Sequence, residues 1–271
     1  MSDLLDRLER ALESDGMAPV ISTGFPALDQ VTGGLVGRRL YLVEGPSTTA
    51  KRNLALAIAR HVAKCGMPVL YASAQLSVDE IAERVVAAEA RISPKGLEDR
   101  HPKESDWSLL REAIGRLGDS PLYIAELART DASELEELIA ATGGQGDGCL
   151  VIAEAFGLPR AGSTKPAAAS RSMIELRRLA RLLNIPIIAL VKSSLPTDGS
   201  ASSEQFITKK WGDSADTIMI IHERAGTQTS RRPVVLTVVN KQHLDRGLVV
   251  KLYLEERHVE QPSPIDVPLA F

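Results

Sequence analysis

From Val20 onward the chain alternates short apolar runs with amphipathic stretches. Runs of strand length fall at 40–43, 69–72, 122–124, 150–152, 186–191, 217–221, 234–239 and 248–254. Between the early runs the apolar spacing becomes helical. Leu54, Ile58 and Val62 share one face of a helix predicted over 51–64, and Ser77 with Glu80 forms the capping box of another over 78–91. Residues 106–116, 134–141 and 172–183 follow the same logic. Strands alternating with helices imply crossover connections, so the predicted fold class is α/β with a mainly parallel sheet. The last two runs, split by 240–247 with no helix between them, read as a C-terminal antiparallel hairpin. No internal repeat is visible.

Both ends stand apart from this pattern. Leu4, Leu8 and Leu12 recur every fourth residue, predicting an amphipathic helix over 3–14 that ends at Ser14-Asp15-Gly16. Segment 1–16 is therefore set off as a linker-like helix whose stripe needs a docking surface, on its own domain or on a neighbouring subunit. At the other end, Pro262, Pro264 and Pro268 make 259–271 an extended Pro-rich tail.

Composition narrows the picture. A chain of 271 residues, 44% hydrophobic and 25% charged, is long enough to bury a large core without metal or disulfide. Cys65 and Cys149 have no zinc spacing, the N-terminus has no leader pattern, and the apolar run 185–191 is too short to span a membrane, so a cytoplasmic protein is expected. With a net charge of −3 and 4% aromatics, contact with nucleic acid has to come from local clusters rather than from the overall field.

One loop carries recognisable chemistry. The run 40–43 leads into Gly45, Pro46, Ser47, Thr48, Thr49, Ala50, Lys51 and Arg52 and then a helix, the strand, loop and helix order of a phosphate-binding loop. In such a loop backbone N–H groups cradle phosphates, a lysine reaches the terminal ones, and the next hydroxyl holds magnesium. Lys51 fits. Ala50 stands where a glycine is needed, and Arg52 puts a cation where the hydroxyl belongs. A plain strand-to-helix turn accounts for this loop about as well.

Several segments together resemble the C-terminal motor domain of the bacterial replicative DNA helicases, the DnaB-like branch of the RecA-like ATPases. Ser22-Thr23-Gly24-Phe25 with Leu28-Asp29 and Thr32-Gly33-Gly34-Leu35 is similar to that family's opening segment. Gly45-Pro46-Ser47 echoes its loop, and Asp106-Trp107, Tyr123-Ile124, Ser170-Arg171-Ser172, Ile185-Pro186, Ala215-Asp216 and Lys241-Gln242 follow in order. The resemblance implies a RecA-like P-loop three-layer sandwich over 17–258.

It also implies site positions, and several carry unsuitable residues. The water-polarising glutamate corresponds to Gln75, which takes no proton near neutral pH. The magnesium-supporting aspartate corresponds to Ala153, and the adjacent Glu154 should point to the opposite face of its strand. Lys192 replaces a phosphate-sensing glutamine, and His243 stands where an arginine finger is expected. The two central-channel DNA loops correspond to 157–169 and 193–210, with Arg160, Lys165, Lys209 and Lys210 as candidate phosphate contacts for single-stranded DNA. The expectation is a helicase homologue in DNA replication or processing that self-associates, as a hexamer-like ring or a helical assembly. It should bind ATP or another nucleotide weakly, with Mg2+ poorly supported and hydrolysis lost. An active ATP-dependent helicase, and a scaffold for a helicase, a loader or other replication proteins, are the alternatives.

Overall fold

The computed structural model describes residues 20–45, 48–92, 104, 106–128, 131–142, 148–155, 166–192, 211, 214–223, 231–240, 248–255 and 259–260. Six helices and nine strands lie within them. In chain order they are α1 (Pro26–Thr32), β1 (Leu40–Gly45), α2 (Thr48–Lys64), β2 (Val69–Ser73), α3 (Val78–Ala90), α4 (Asp106–Gly118) and β3 (Leu122–Glu126). There follow α5 (Ala132–Ala141), β4 (Leu150–Glu154), α6 (Pro166–Leu183), β5 (Ile187–Lys192), β6 (Thr217–Glu223), β7 (Arg231–Asn240), β8 (Leu248–Glu255) and β9 (Val259–Glu260).

The strands form one sheet in the order β3-β2-β4-β5-β1-β6-β7-β8-β9. Strands β3 through β6 in that order are parallel, while β7, β8 and β9 are antiparallel to their neighbours. The expected hairpin is thus β7 and β8, and antiparallel pairing also extends to β6 and β9. Val259 and Glu260 lengthen the sheet two residues past 258.

Each central strand is covered on both faces, so its sequence reads as an unbroken apolar run. Alternation nevertheless sorts its side chains between two cores. Tyr41, Val43, Val69, Tyr71, Leu150, Ile152 and Ile188 pack with the α1 and α2 residues Leu28, Leu54, Ile58 and Val62. Leu40, Leu42, Leu70, Ala72, Val151, Ala153 and Ala189 pack instead with Leu135 and Ile139 of α5 and Met173 and Leu176 of α6. The result is a three-layer α/β sandwich. Leu54, Ile58 and Val62 are almost wholly buried, and each contributes about 1.5–3 kcal/mol of transfer free energy.

Local signals set the helix ends. Ser77 accepts from the Glu80 N–H at 3.3 Å while Glu80 accepts from the Ser77 N–H at 2.9 Å, the reciprocal box expected for α3. Arg91 closes that helix in the left-handed region, at φ 57°. Gly33 ends α1 at φ 75°, where a side chain would be strained. Three helices start earlier than their apolar stripes suggest, α5 by two residues at Ala132 and the other two by more. α2 begins at Thr48, and α6 begins at Pro166, so 166–169 belong to a helix rather than to the loop expected over 157–169. Pro at the first turn suits this because its missing N–H would have no helical partner there.

Candidate phosphate-loop site

Parallel strands collect their C-terminal ends on one edge of the sheet, where ligands of open α/β sheets bind. Here that edge brings together Gly45 of β1, Ser73 of β2, Glu154 of β4 and the start of α2. Gly45 is required by space: a Cβ there would lie 2.8 Å from the Ile221 carbonyl oxygen of β6. Lys51, in the first turn of α2, is buried, and its Nζ donates to the Gly45 carbonyl at 2.5 Å. The lysine therefore closes back on the strand end that precedes its loop.

The residue after it makes the more telling contact. Arg52 and Glu154 are 102 positions apart, yet Arg52 Nε donates to Glu154 Oε1 at 2.9 Å and Nη2 donates to the same oxygen. Their side chains are 10% and 3% exposed, so this is a buried ion pair. The other oxygen, Oε2, accepts from the Tyr71 hydroxyl at 3.0 Å and from Ser73 Oγ at 3.2 Å. Burial, and then the negative charge of Glu154, pushes the Tyr71 hydroxyl well above its ordinary value, which keeps it a donor. Glu154 thus accepts four hydrogen bonds, the number its two oxygens can hold.

This arrangement corrects one expectation. Ala153 is fully buried in the core on the α5 and α6 side, and Glu154 is the strand-end residue that faces α2. The acidic side chain that meets α2 at the end of β4 is therefore Glu154, and it does so in the register that pairs it with Ser73. The strand ends immediately afterwards, as Ala155 turns at φ 59°. A left-handed conformation costs a non-glycine residue about 1–2 kcal/mol, so the end of β4 is held in place by its surroundings.

Ser73 supports the neighbouring turn. Its hydroxyl accepts the N–H groups of Gln75 and Leu76, both at 3.1 Å, and so shapes the bend leading to Ser77 and α3. Gln75 lies exposed on that bend, two residues beyond the end of β2. Ala50 is buried in the first turn of α2, and Thr49 beside it is exposed. Thr48 opens α2 and Lys192 closes β5. On the opposite face Trp211 Nε1 donates to Glu44 Oε2 at 2.5 Å, a pairing that no local pattern announces. Pro46, Ser47, Arg160, Lys165, Lys209, Lys210 and His243 lie outside the described residues, as do segment 1–16 and the tail from 261.

Sequence reasoning singled out Lys51, Arg52 and Glu154 but missed Tyr71 and Ser73. Tyr71 was read as strand interior and Ser73 fell just past the run read as 69–72, and the available signal was their alternation with Leu70 and Ala72, which places them on the α2 face. Among the described residues no group of three or more His, Cys, Asp or Glu could hold a metal ion.

A mainly parallel sheet covered on both faces, with a strand, loop and helix carrying lysine at the C-terminal end of its strands, has the RecA-like fold, and solved structures agree in fold. One of them, itself an isolated ATPase domain, superposes with a TM-score of 0.77 at 19% identity, covering 97% of this chain and 98% of that one. A DnaB-like replicative helicase, solved with its interactions with primase, gives 0.72 at 19% identity over 97% of this chain and 66% of that one. Residues 20–253 match the DnaB-like helicase C terminal domain, and the chain belongs to that family. The replicative DNA helicase DnaB of Treponema pallidum (strain Nichols) is 28% identical over 237 residues, 84% of this chain and 53% of that protein. That of Synechocystis sp. (strain ATCC 27184 / PCC 6803 / Kazusa) is 30% identical over 194 residues, 70% and 22% respectively. The chain therefore spans about half or less of these two relatives' length.

Proposed function

We propose that this chain is a replicative-helicase homologue of DNA replication or DNA processing in the cytoplasm whose phosphate-loop domain no longer hydrolyses nucleotide. The observation that carries the reading is the buried Arg52–Glu154 pair. A working site needs an acidic residue free to support magnesium and a hydroxyl to ligate it. This one spends its acid on an arginine. The magnesium implied by the family does not fit these residues, and no catalytic step is assigned to it. Gln75 adds a second loss, since an amide cannot accept the proton of an attacking water.

Retained functions are assembly and contact with DNA. Self-association through the 3–14 helix and the motor-domain surfaces, and weak binding of single-stranded DNA through Arg160, Lys165, Lys209 and Lys210, follow from the family pattern. ATP or another nucleotide is the proposed ligand of residues 45–52, bound weakly. Helicases or other replication proteins are the proposed partners, and a membrane is not among them. One observation favours the alternative of an active motor: Glu154 lies on the face a metal-supporting acid requires.

A steady-state ATPase assay with and without single-stranded DNA separates the two. The expected result is no turnover above a protein-free blank, and loss of an arginine finger alone costs about a thousandfold or more in this class. DNA-stimulated turnover that disappears in Lys51→Ala would establish the active motor instead.

A further inference from the structure

Arg52 follows the loop lysine, the sequence position at which a phosphate loop carries its metal-binding hydroxyl, and its guanidinium is bound to Glu154 at the end of β4. We infer that Arg52 is the resident cation of this loop, and that the loop takes a polyphosphate without a divalent metal. The inference deepens the proposed function and rests on its reading of residues 45–52 as the seat of the nucleotide.

Three observations carry it. Glu154 is saturated: Arg52 supplies two hydrogen bonds to one oxygen, and Tyr71 and Ser73 supply one each to the other. A metal could gain this carboxylate only by displacing buried donors that would then lack acceptors. Secondly, the pair is buried and held from two strands and a helix, so Arg52 is a fixed charge rather than a mobile surface one. The third observation is the charge balance. On the α2 face of the strand ends, the three side chains Lys51, Arg52 and Glu154 sum to one positive charge, Glu44 being buried against Trp211 on the other face of β1. With a hydroxyl at the Arg52 position, the same lysine and acid would cancel, and a divalent ion would be needed to make the site attractive to phosphate. The helix N-terminus of α2 adds to the positive potential. An arginine is charged at every relevant pH and cannot be chelated away.

Isothermal titration of the full chain with a nonhydrolysable ATP analogue, in excess Mg2+ and then in EDTA, tests the idea. The expected dissociation constants agree within about twofold, a difference of roughly 0.4 kcal/mol. Weakening on chelation of about tenfold or more would overturn the inference, and so would absence of binding in both buffers. The variant Arg52→Thr supplies the hydroxyl and releases Glu154, so its binding should become metal-dependent, about tenfold or more tighter with Mg2+ than with EDTA. A folded Arg52→Thr protein still indifferent to chelation would mean that the cation is not Arg52. If that variant does not fold, the titration of the unaltered chain decides alone. The outcome is distinguishable from failure of the proposed function: turnover in the ATPase assay sinks the non-hydrolysing reading, whereas metal-dependent binding without turnover sinks only this inference.

Discussion

Replacing Glu154 by alanine is expected to destabilise the fold severely, because it strands three buried donors at once. Arg52 is left as an uncompensated charge with its side chain 10% exposed, and Tyr71 and Ser73 lose their shared acceptor. Breaking a buried pair by removing one partner costs about 3–5 kcal/mol, and an orphaned buried hydroxyl adds about 1–3 kcal/mol. The space vacated by the carboxylate admits water to part of this cluster, so a total of about 4 kcal/mol is expected, against a typical stability of roughly 5–15 kcal/mol for a whole domain. Urea unfolding followed by far-UV circular dichroism, at one fixed protein concentration, reads the effect. With a slope of about 3 kcal/mol per molar, the midpoint should fall by about 1.3 M at unchanged slope. The double variant Arg52→Met/Glu154→Gln removes both charges and keeps an acceptor for Tyr71 and Ser73, so it should recover most of the loss. A cost below about 1 kcal/mol for Glu154→Ala would refute the reasoning, since that is the worth of a solvated surface pair. A double variant no more stable than the single one would refute it equally.

Glu89 joins three helices, accepting from Arg60 and Lys64 of α2 at 3.0 Å each and from Arg116 of α4 at 2.9 Å. Burial opposes its charge, yet these hydrogen bonds and charges hold its carboxyl below the ordinary range. A depressed carboxylate stabilises the fold above its unfolded value near pH 4.5, and that stability is lost as pH falls through the lower folded value. Urea midpoints measured downward from pH 6 should therefore drop less steeply in Glu89→Gln, and identical profiles would remove Glu89 from the account. Single-stranded DNA binding, followed by fluorescence anisotropy, should be micromolar or weaker and lose a salt slope of about 0.7 for each phosphate contact removed at Arg160, Lys165, Lys209 and Lys210. Unchanged affinity with alanine at all four would take these loops out of the case. Light scattering after gel filtration should show oligomers for the full chain and fewer for one starting at Ala18. A strictly monomeric full chain would mean that the Leu4, Leu8 and Leu12 stripe folds back on its own domain.

Much of the architecture was already present in local pattern. Apolar runs of strand length, helical spacing at Leu54, Ile58 and Val62, and the Ser77 capping box act over a few residues, so the alternation of strands and helices and the junction between β1 and α2 could be read directly. Strand order and absolute facing could not. Alternation states that Ala153 and Glu154 face opposite ways, but not which of them faces α2. That choice depends on the side of the sheet each crossover helix covers, and both faces of β4 are apolar enough to accept a helix. The tertiary structure made it by pairing β4 with β2 in a register that sets Glu154 beside Ser73, and by laying α2 across them so that Arg52 meets the carboxylate from 102 residues away. The sequence carried the substitution of arginine for a hydroxyl as an isolated irregularity. Only folding turned it into an ion pair, because the compensating acid and the Tyr71 hydroxyl arrive from strands that become neighbours through the sheet and not through the chain.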